Sequence, residues 1–301
     1  MRPSWNTLCL AAVLTACASH GGAQHARETA QARWQVLLAD ESAWSEGTSV
    51  HGLALELASF AASPDPLLRD EIGYEVSARW INSGRLSSAD LRELLLLHLS
   101  NLDAGLGEGE SDGVFRRSFS ALHLSLLVAR DRRQQFIEEQ DYRALVLGIA
   151  RLLREERDRR GWVDGKGWAH PIAHAADTAK FLARHPFLDN EQALVLFAAL
   201  EDGFEGPNAW GENDRLAAAA QSLCMREEFD SAAFDARCMA WVENAGELWQ
   251  KKPFDAQLFR RTENQKQFLR ALYARMCLDP NPSERTSLIA QRTLATLADM
   301  P

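Results

Sequence analysis

His170, His174 and Asp177 fall in the stretch RDRRGWVDGKGWAHPIAHAAD (157–177), and their types and spacing permit several kinds of chemistry. Two histidines four apart on a helix share a face, which is a common metal-ligating arrangement, and an aspartate three residues on could complete the set. The pattern departs from the zinc-protease motif, because Pro171 stands where HExxH carries its catalytic glutamate. Nor is it the adjacent His-Asp doublet of HD-type phosphohydrolases. A hydrolase using these residues, with or without a divalent metal, would need another carboxylate, for which Asp158 and Glu212 are the candidates. Metal-free binding of a polar ligand is the other functional reading. Gly161, Gly165 and Gly167 let backbone amides approach a ligand, Trp162 and Trp168 offer flat apolar surfaces, and Arg160 and Lys166 offer charge. A structural alternative needs no ligand. In it His170 caps the helix and His174 bonds Asp177 or a loop carbonyl, while Asp158, Arg160 and Lys166 fix the preceding turn as an ionic network.

The element that positions these groups is legible. Proline is favoured at the first helical position, so Pro171 places His170 at the cap of a helix running to about Arg184. Ile172, Ala175, Ala176, Ala179, Leu182 and Ala183 gather on one side of it, and their small size suits close packing. The three polar residues share the opposite side, which is expected to face solvent, a groove or a partner.

Elsewhere apolar residues also recur at three and four rather than at two. The periodicity predicts helices over 30–40, 50–63, 66–84, 88–105, 111–131, 141–158, 190–203, 212–227, 230–250 and 255–277, with a last one after Pro282. Prolines fall between these units, and Ser88, Asp141 and Asp230 stand where caps belong. The expected fold is all-α, a HEAT-like stack of helical hairpins (an α-solenoid), with an α/α toroid or an irregular bundle as alternatives. The segment 103–113, with four glycines and four acids, is predicted to be a mobile loop.

The N-terminus points to an address. Arg2 precedes an apolar stretch too short to span a bilayer, and Leu14-Thr15-Ala16-Cys17 fits a bacterial lipobox. Ordinary cleavage after Ala18 is the competitor. The expected organisation is a lipoprotein signal peptide over 1–16, lipidated Cys17 with a short tether to 28, and one helical domain over 29–301. Ala18 after the cysteine suits sorting to the outer membrane, facing the periplasm. With Cys9 removed and Cys17 acylated, Cys224, Cys238 and Cys277 remain; buried free thiols are the main reading, and a Cys224–Cys238 bridge the alternative. Formal net charge is −9, and no basic run interrupts it, which excludes nucleic acid as a general partner. The membrane, through lipid, and an unidentified polar ligand or protein are the expected partners.

The stretch RGWVDGKGWAHPIAHAAD, with VFRRSFSAL (114–122) upstream and GENDRLA (211–217) downstream, resembles the bacterial family catalogued as domain of unknown function 2785. The central motif is the more specific of the three. The resemblance implies a helical, HEAT-like architecture and carries no activity. Matching positions add Arg117, Ser118, Glu212 and Arg215 to the candidate patch. The resulting expectation is an envelope lipoprotein that binds a polar ligand or partner at this patch. Its rivals are a hydrolase built on the same residues and a purely structural envelope protein.

Overall fold

The computed structural model of the chain describes residues 28–39, 49–248 and 250–301. The segment expected to hold a signal peptide, Cys17 and a tether lies, up to residue 27, outside the described residues. Helix α1 covers 28–39. It is followed by α2 (Val50–Ser59), a 3-10 turn (Phe60–Ala62), a π-helix (Leu67–Tyr74) that runs into α3 (Glu75–Ser83), and α4 (Ser88–Asn101). Next come α5 (Gly113–Asp131) and α6 (Glu139–Glu155). A hairpin of β1 (Trp162–Val163) and β2 (Gly167–Trp168) then leads into α7 (Pro171–Leu182). The remaining elements are α8 (Asn190–Asp202), a 3-10 turn (Gly203–Glu205), α9 (Glu212–Cys224), α10 (Ser231–Leu248), α11 (Ala256–Cys277) and α12 (Glu284–Asp299). The fold is all-α apart from that hairpin, and no helix among the described residues is long and apolar enough to cross a membrane.

Local sequence explains most starts. Ser87 and Asp90 form a capping box at α4, as Asp189 and Gln192 do at α8, each satisfying amides the helix cannot. The α4 cap therefore sits one residue before Ser88. Asp141 lies inside the first turn of α6, where a carboxylate favours the helix dipole, rather than at the cap. Asp230 does cap α10, its Oδ1 accepting the Ala232 amide at 2.8 Å.

Packing arranges the helices in two rows. Helices α5, α7, α9 and α11 lie side by side in one, α4, α6 and α8 in the other, and α4–α5, α6–α7, α8–α9 and α10–α11 join the rows as hairpins. Among the described residues no extensive packing links α2 or α3 to α11 or α12, as closure into a toroid would require. One apolar cluster runs from Trp34 to Met300, and a smaller one (Ala61, Val114, Phe115, Phe119, Ala169) lies under the hairpin.

Helix α7 sits inside its row. Ala175, Ala176, Ala179 and Ala183 are fully buried, and this is what lets α5, α6 and α9 close on it. The expectation that its polar side faces outward is therefore only half met. Three neighbours surround the helix, and Asp177 is 8% exposed.

Three further expectations change. The 103–113 loop, expected to be free, is tied down at its end, where the Ser111 backbone and the Asp112 side chain bond Asp158, Arg160 and Lys166. The predicted helix over 66–84 opens with the π-helix, whose wider turns leave no room for a side chain at Gly73: a Cβ there would lie 3.0 Å from that of Phe60. Cys224 and Cys238 are free and buried, while Cys277 is free and exposed rather than buried.

Candidate functional site

The hairpin before α7 is built by glycine. Gly165 and Gly167 take positive φ (73° and 77°), closing a turn in which Trp162 pairs with Trp168. A Cβ on Gly161 would fall 2.1 Å from an indole carbon of Trp210, so the Trp210 ring lies directly over that backbone.

Beneath the hairpin is an ionic scaffold. Arg117 and Glu156 are both sealed from solvent, with Arg117 Nε 2.5 Å and Nη2 3.0 Å from the carboxylate, while Nη1 donates to the Ala104 carbonyl at 2.9 Å. Glu156 also accepts the Asp158 amide at 2.9 Å. Asp158, itself fully buried, accepts the Ser111 amide at 3.0 Å and Arg160 at 2.6 and 2.8 Å. Arg160 returns a bond to the Ser111 carbonyl at 2.9 Å, and Lys166 pairs with Asp112 at 2.6 Å. From the other side Arg69, also buried, lies over the Phe115 and Phe119 rings and donates to the Lys166 carbonyl at 2.8 Å.

This corrects part of the candidate list. Arg117 cannot meet a surface ligand, because every nitrogen of its guanidinium is bonded in the interior. Asp158 likewise belongs to the scaffold and reaches neither histidine. Arg160 and Lys166 are partly exposed, but each is committed to a carboxylate.

Above the scaffold each polar residue of α7 meets a different neighbour. His170 holds a left-handed backbone (φ 54°, ψ 40°), a strained conformation for a residue with a Cβ. It is the cap by position only, since its side chain makes no capping bond. That side chain instead donates from Nε2 to the Trp210 carbonyl at 3.0 Å, lies 3.3 Å from Glu212, and stacks on Trp168 at 4.9 Å. Burial pushes the Glu212 carboxyl up, but the bond from His170 and backbone amides outweigh it and leave the group below its ordinary range.

His174 turns toward α5. Ser118 donates its hydroxyl to the Ala169 carbonyl, so the 2.8 Å contact between Ser118 Oγ and His174 Nδ1 has the imidazole as donor. Nε2 is thereby left as the lone-pair acceptor of a half-buried residue, with no bonded partner seen among the described residues. Burial, with the neighbouring charges of His170 and Arg215, pushes this imidazole down to about 3. Asp177 turns toward α9, meeting Arg215 at 3.1 Å and Lys180 at 2.9 Å. Its charge, after burial, raises the Tyr74 phenol.

The metal set His170, His174 and Asp177 is thus not assembled. Among the described residues no group of three His, Cys, Asp or Glu side chains could hold an ion. His174, held down by burial, is a poor base near neutrality, while His170 lies 3.3 Å from the Glu212 carboxylate. What the arrangement does offer is a surface. Trp162, Trp168 and Trp210 are 47%, 38% and 49% exposed, and they touch edge to face with centroids 5.2 and 5.5 Å apart. The sequence reading missed Trp210, Tyr74 and Arg69. Trp210 had a visible signal, an indole directly before the turn glycine of GENDRLA; Arg69 and Tyr74, on a distant element, had none.

A family model described as "Protein of unknown function (DUF2785)" matches residues 102–274, more than half of the chain. No curated protein and no solved structure matches it.

Proposed function

We propose that this chain, which belongs to the family DUF2785, is a binding protein that takes a polar ligand on the surface formed by Trp162, Trp168, Trp210, His170 and His174. One observation carries the reading: Trp162 and Trp168 on the hairpin and Trp210 just before α9 are left about half exposed, with Trp168 touching the other two above a buried ionic scaffold. Leaving that much aromatic area in water forgoes about 25 cal/mol per Å² of burial, and fixed aromatic surface of this kind is typical of recognition sites. The strained His170 backbone beside it supports the same reading, because such conformations gather where function holds them. His174 contributes a neutral acceptor, and Asp177 with Arg215 a polar margin.

The ligand's location follows from the leader. Arg2, the apolar stretch and Leu14-Thr15-Ala16-Cys17 support acylation at Cys17 and display from the envelope, on the periplasmic side of the outer membrane. Cys17→Ser is expected to move the protein from membrane to soluble fractions; unchanged fractionation would remove the anchor from the proposal. Binding is tested by thermal unfolding of the full chain against neutral sugars, amino acids, nucleosides and dicarboxylates. At least one class should raise the midpoint for wild type and not for Trp168→Ala or Trp210→Ala. If none does, or if all proteins respond alike, the binding reading is wrong.

A further inference from the structure

The ligand class can be narrowed, on the premise that the tryptophan surface is a binding site. We infer that the surface takes a saccharide, with the C–H face of an uncharged sugar ring laid on an exposed indole and its hydroxyls bonded to the polar groups alongside.

Three observations point there. The first is ring spacing. A cage for a quaternary ammonium needs aromatic faces set around a gap, with the cation within about 6 Å of several centroids. Here the Trp162–Trp168 and Trp168–Trp210 pairs are already in contact, at 5.2 and 5.5 Å and nearly perpendicular, so the space a cation would fill is closed. His170 covers one face of Trp168. The three rings keep 47%, 38% and 49% of their surface exposed, which makes them a platform rather than a cage.

Charge is the second. The cations bordering the platform each have a carboxylate partner inside the protein, Lys166 with Asp112, Arg160 with Asp158 and Arg215 with Asp177, while the Asp164 carboxylate in the turn accepts the Trp162 indole N–H at 3.1 Å. An anionic ligand would find no unpaired cation, and would have to break a pair to gain one. A hydroxyl loses nothing in this setting, since it can donate to a carboxylate and accept from its cationic partner at once.

The third is the kind of polar group presented. His174 Nε2 is an unprotonated acceptor, its tautomer fixed by the bond to Ser118, and it lies on the same helix face as the imidazole stacked against the platform (ring centroids 6.0 Å apart). Neutral acceptors, carboxylates and guanidinium beside stacked indoles match a polyol with one apolar face. They do not match an apolar ligand, which would leave these groups unpaired.

The test is indole fluorescence of the full chain titrated with cellohexaose, xylohexaose, maltohexaose and chitohexaose, with retention on insoluble cellulose and chitin measured in parallel. At least one hexasaccharide should shift the emission saturably. Trp168→Ala should weaken that binding at least tenfold, and Trp168→Phe, which keeps a ring, should restore part of it and guards against a folding defect. Retention on a polymer together with hexasaccharide binding identifies a glycan chain as the source; hexasaccharide binding alone identifies a free oligosaccharide. If the sugars leave the emission unchanged while adenosine or an amino acid binds in a Trp168-dependent way, the saccharide inference fails and the binding reading stands. If nothing in either set binds, both fail.

Discussion

His174 and Ser118 meet at 2.8 Å with the imidazole as donor, because the serine hydroxyl is already given to the Ala169 carbonyl. A single bond thereby sets which nitrogen of His174 faces outward, and couples α7 to the last residue of the hairpin segment. Removing the hydroxyl should release both. Ser118→Ala is expected to cost about 1–3 kcal/mol through the unsatisfied partners it leaves. It should also free the tautomer, visible as a change of His174 ¹⁵N shifts from a protonated Nδ1 toward a mixture. Unaltered nitrogen shifts would show that Ser118 does not fix the ring.

The Arg117–Glu156 pair carries the scaffold. Both side chains are fully buried, so Arg117→Met leaves an uncompensated carboxylate and should destabilise by about 3–5 kcal/mol in urea unfolding. Arg117→Met with Glu156→Leu should recover most of that loss, since no isolated charge remains. Simple additivity of the two losses would mean the pair does not act as a unit.

Acid should weaken the fold well before ordinary carboxylates titrate. His174 is held down to about 3 by burial first and by neighbouring charges second, and buried His98, stacked on His123 at 4.4 Å, is also held well below 6.5. A group whose folded pKa is depressed contributes fully above its unfolded value, here 6.5, and loses that contribution as pH falls toward the folded value. Each histidine should therefore remove up to about 1.4 kcal/mol per pH unit below neutrality. Glu212 and Asp131, also depressed, add losses of the same sign at lower pH. Thermal midpoints between pH 7 and 4 should fall less steeply for His174→Gln than for wild type; parallel curves would exclude His174 as a source.

Gly161 and Trp210 give a local probe. With 2.1 Å available to a Cβ, Gly161→Ala must swing the Trp210 ring away. That ring is 49% exposed and can move, so global stability should change little while near-ultraviolet circular dichroism and ligand binding change clearly. A retained aromatic signal would show that the two residues are not in contact.

Much of this was legible along the chain. Helical period and proline placement foretold an all-α stack, Pro171 marked the start of α7, and the three glycines marked the turn that feeds it. The Asp158–Arg160 pair was also within reach, because the two are near neighbours in sequence and of opposite charge, whereas Lys166 left that expected network for Asp112, 54 positions away. Cys277 was misjudged for a related reason: apolar neighbours in sequence say little about which side of a helix is covered.

The sequence by itself determined which residues share a face of α7, since that follows from a turn of 3.6 residues. Tertiary structure decided what that face does. A helix inside a row has neighbours on several sides, so His170, His174 and Asp177, though aligned, were divided among Trp210, Ser118 and Arg215, residues 40, 56 and 38 positions away. The scaffold was settled at the same range: Arg117 meets Glu156 across 39 positions, and Arg69 reaches Lys166 across 97. Periodicity cannot see contacts at that separation, because they depend on how close the alanine-lined helices come, and only the packed rows fix that distance.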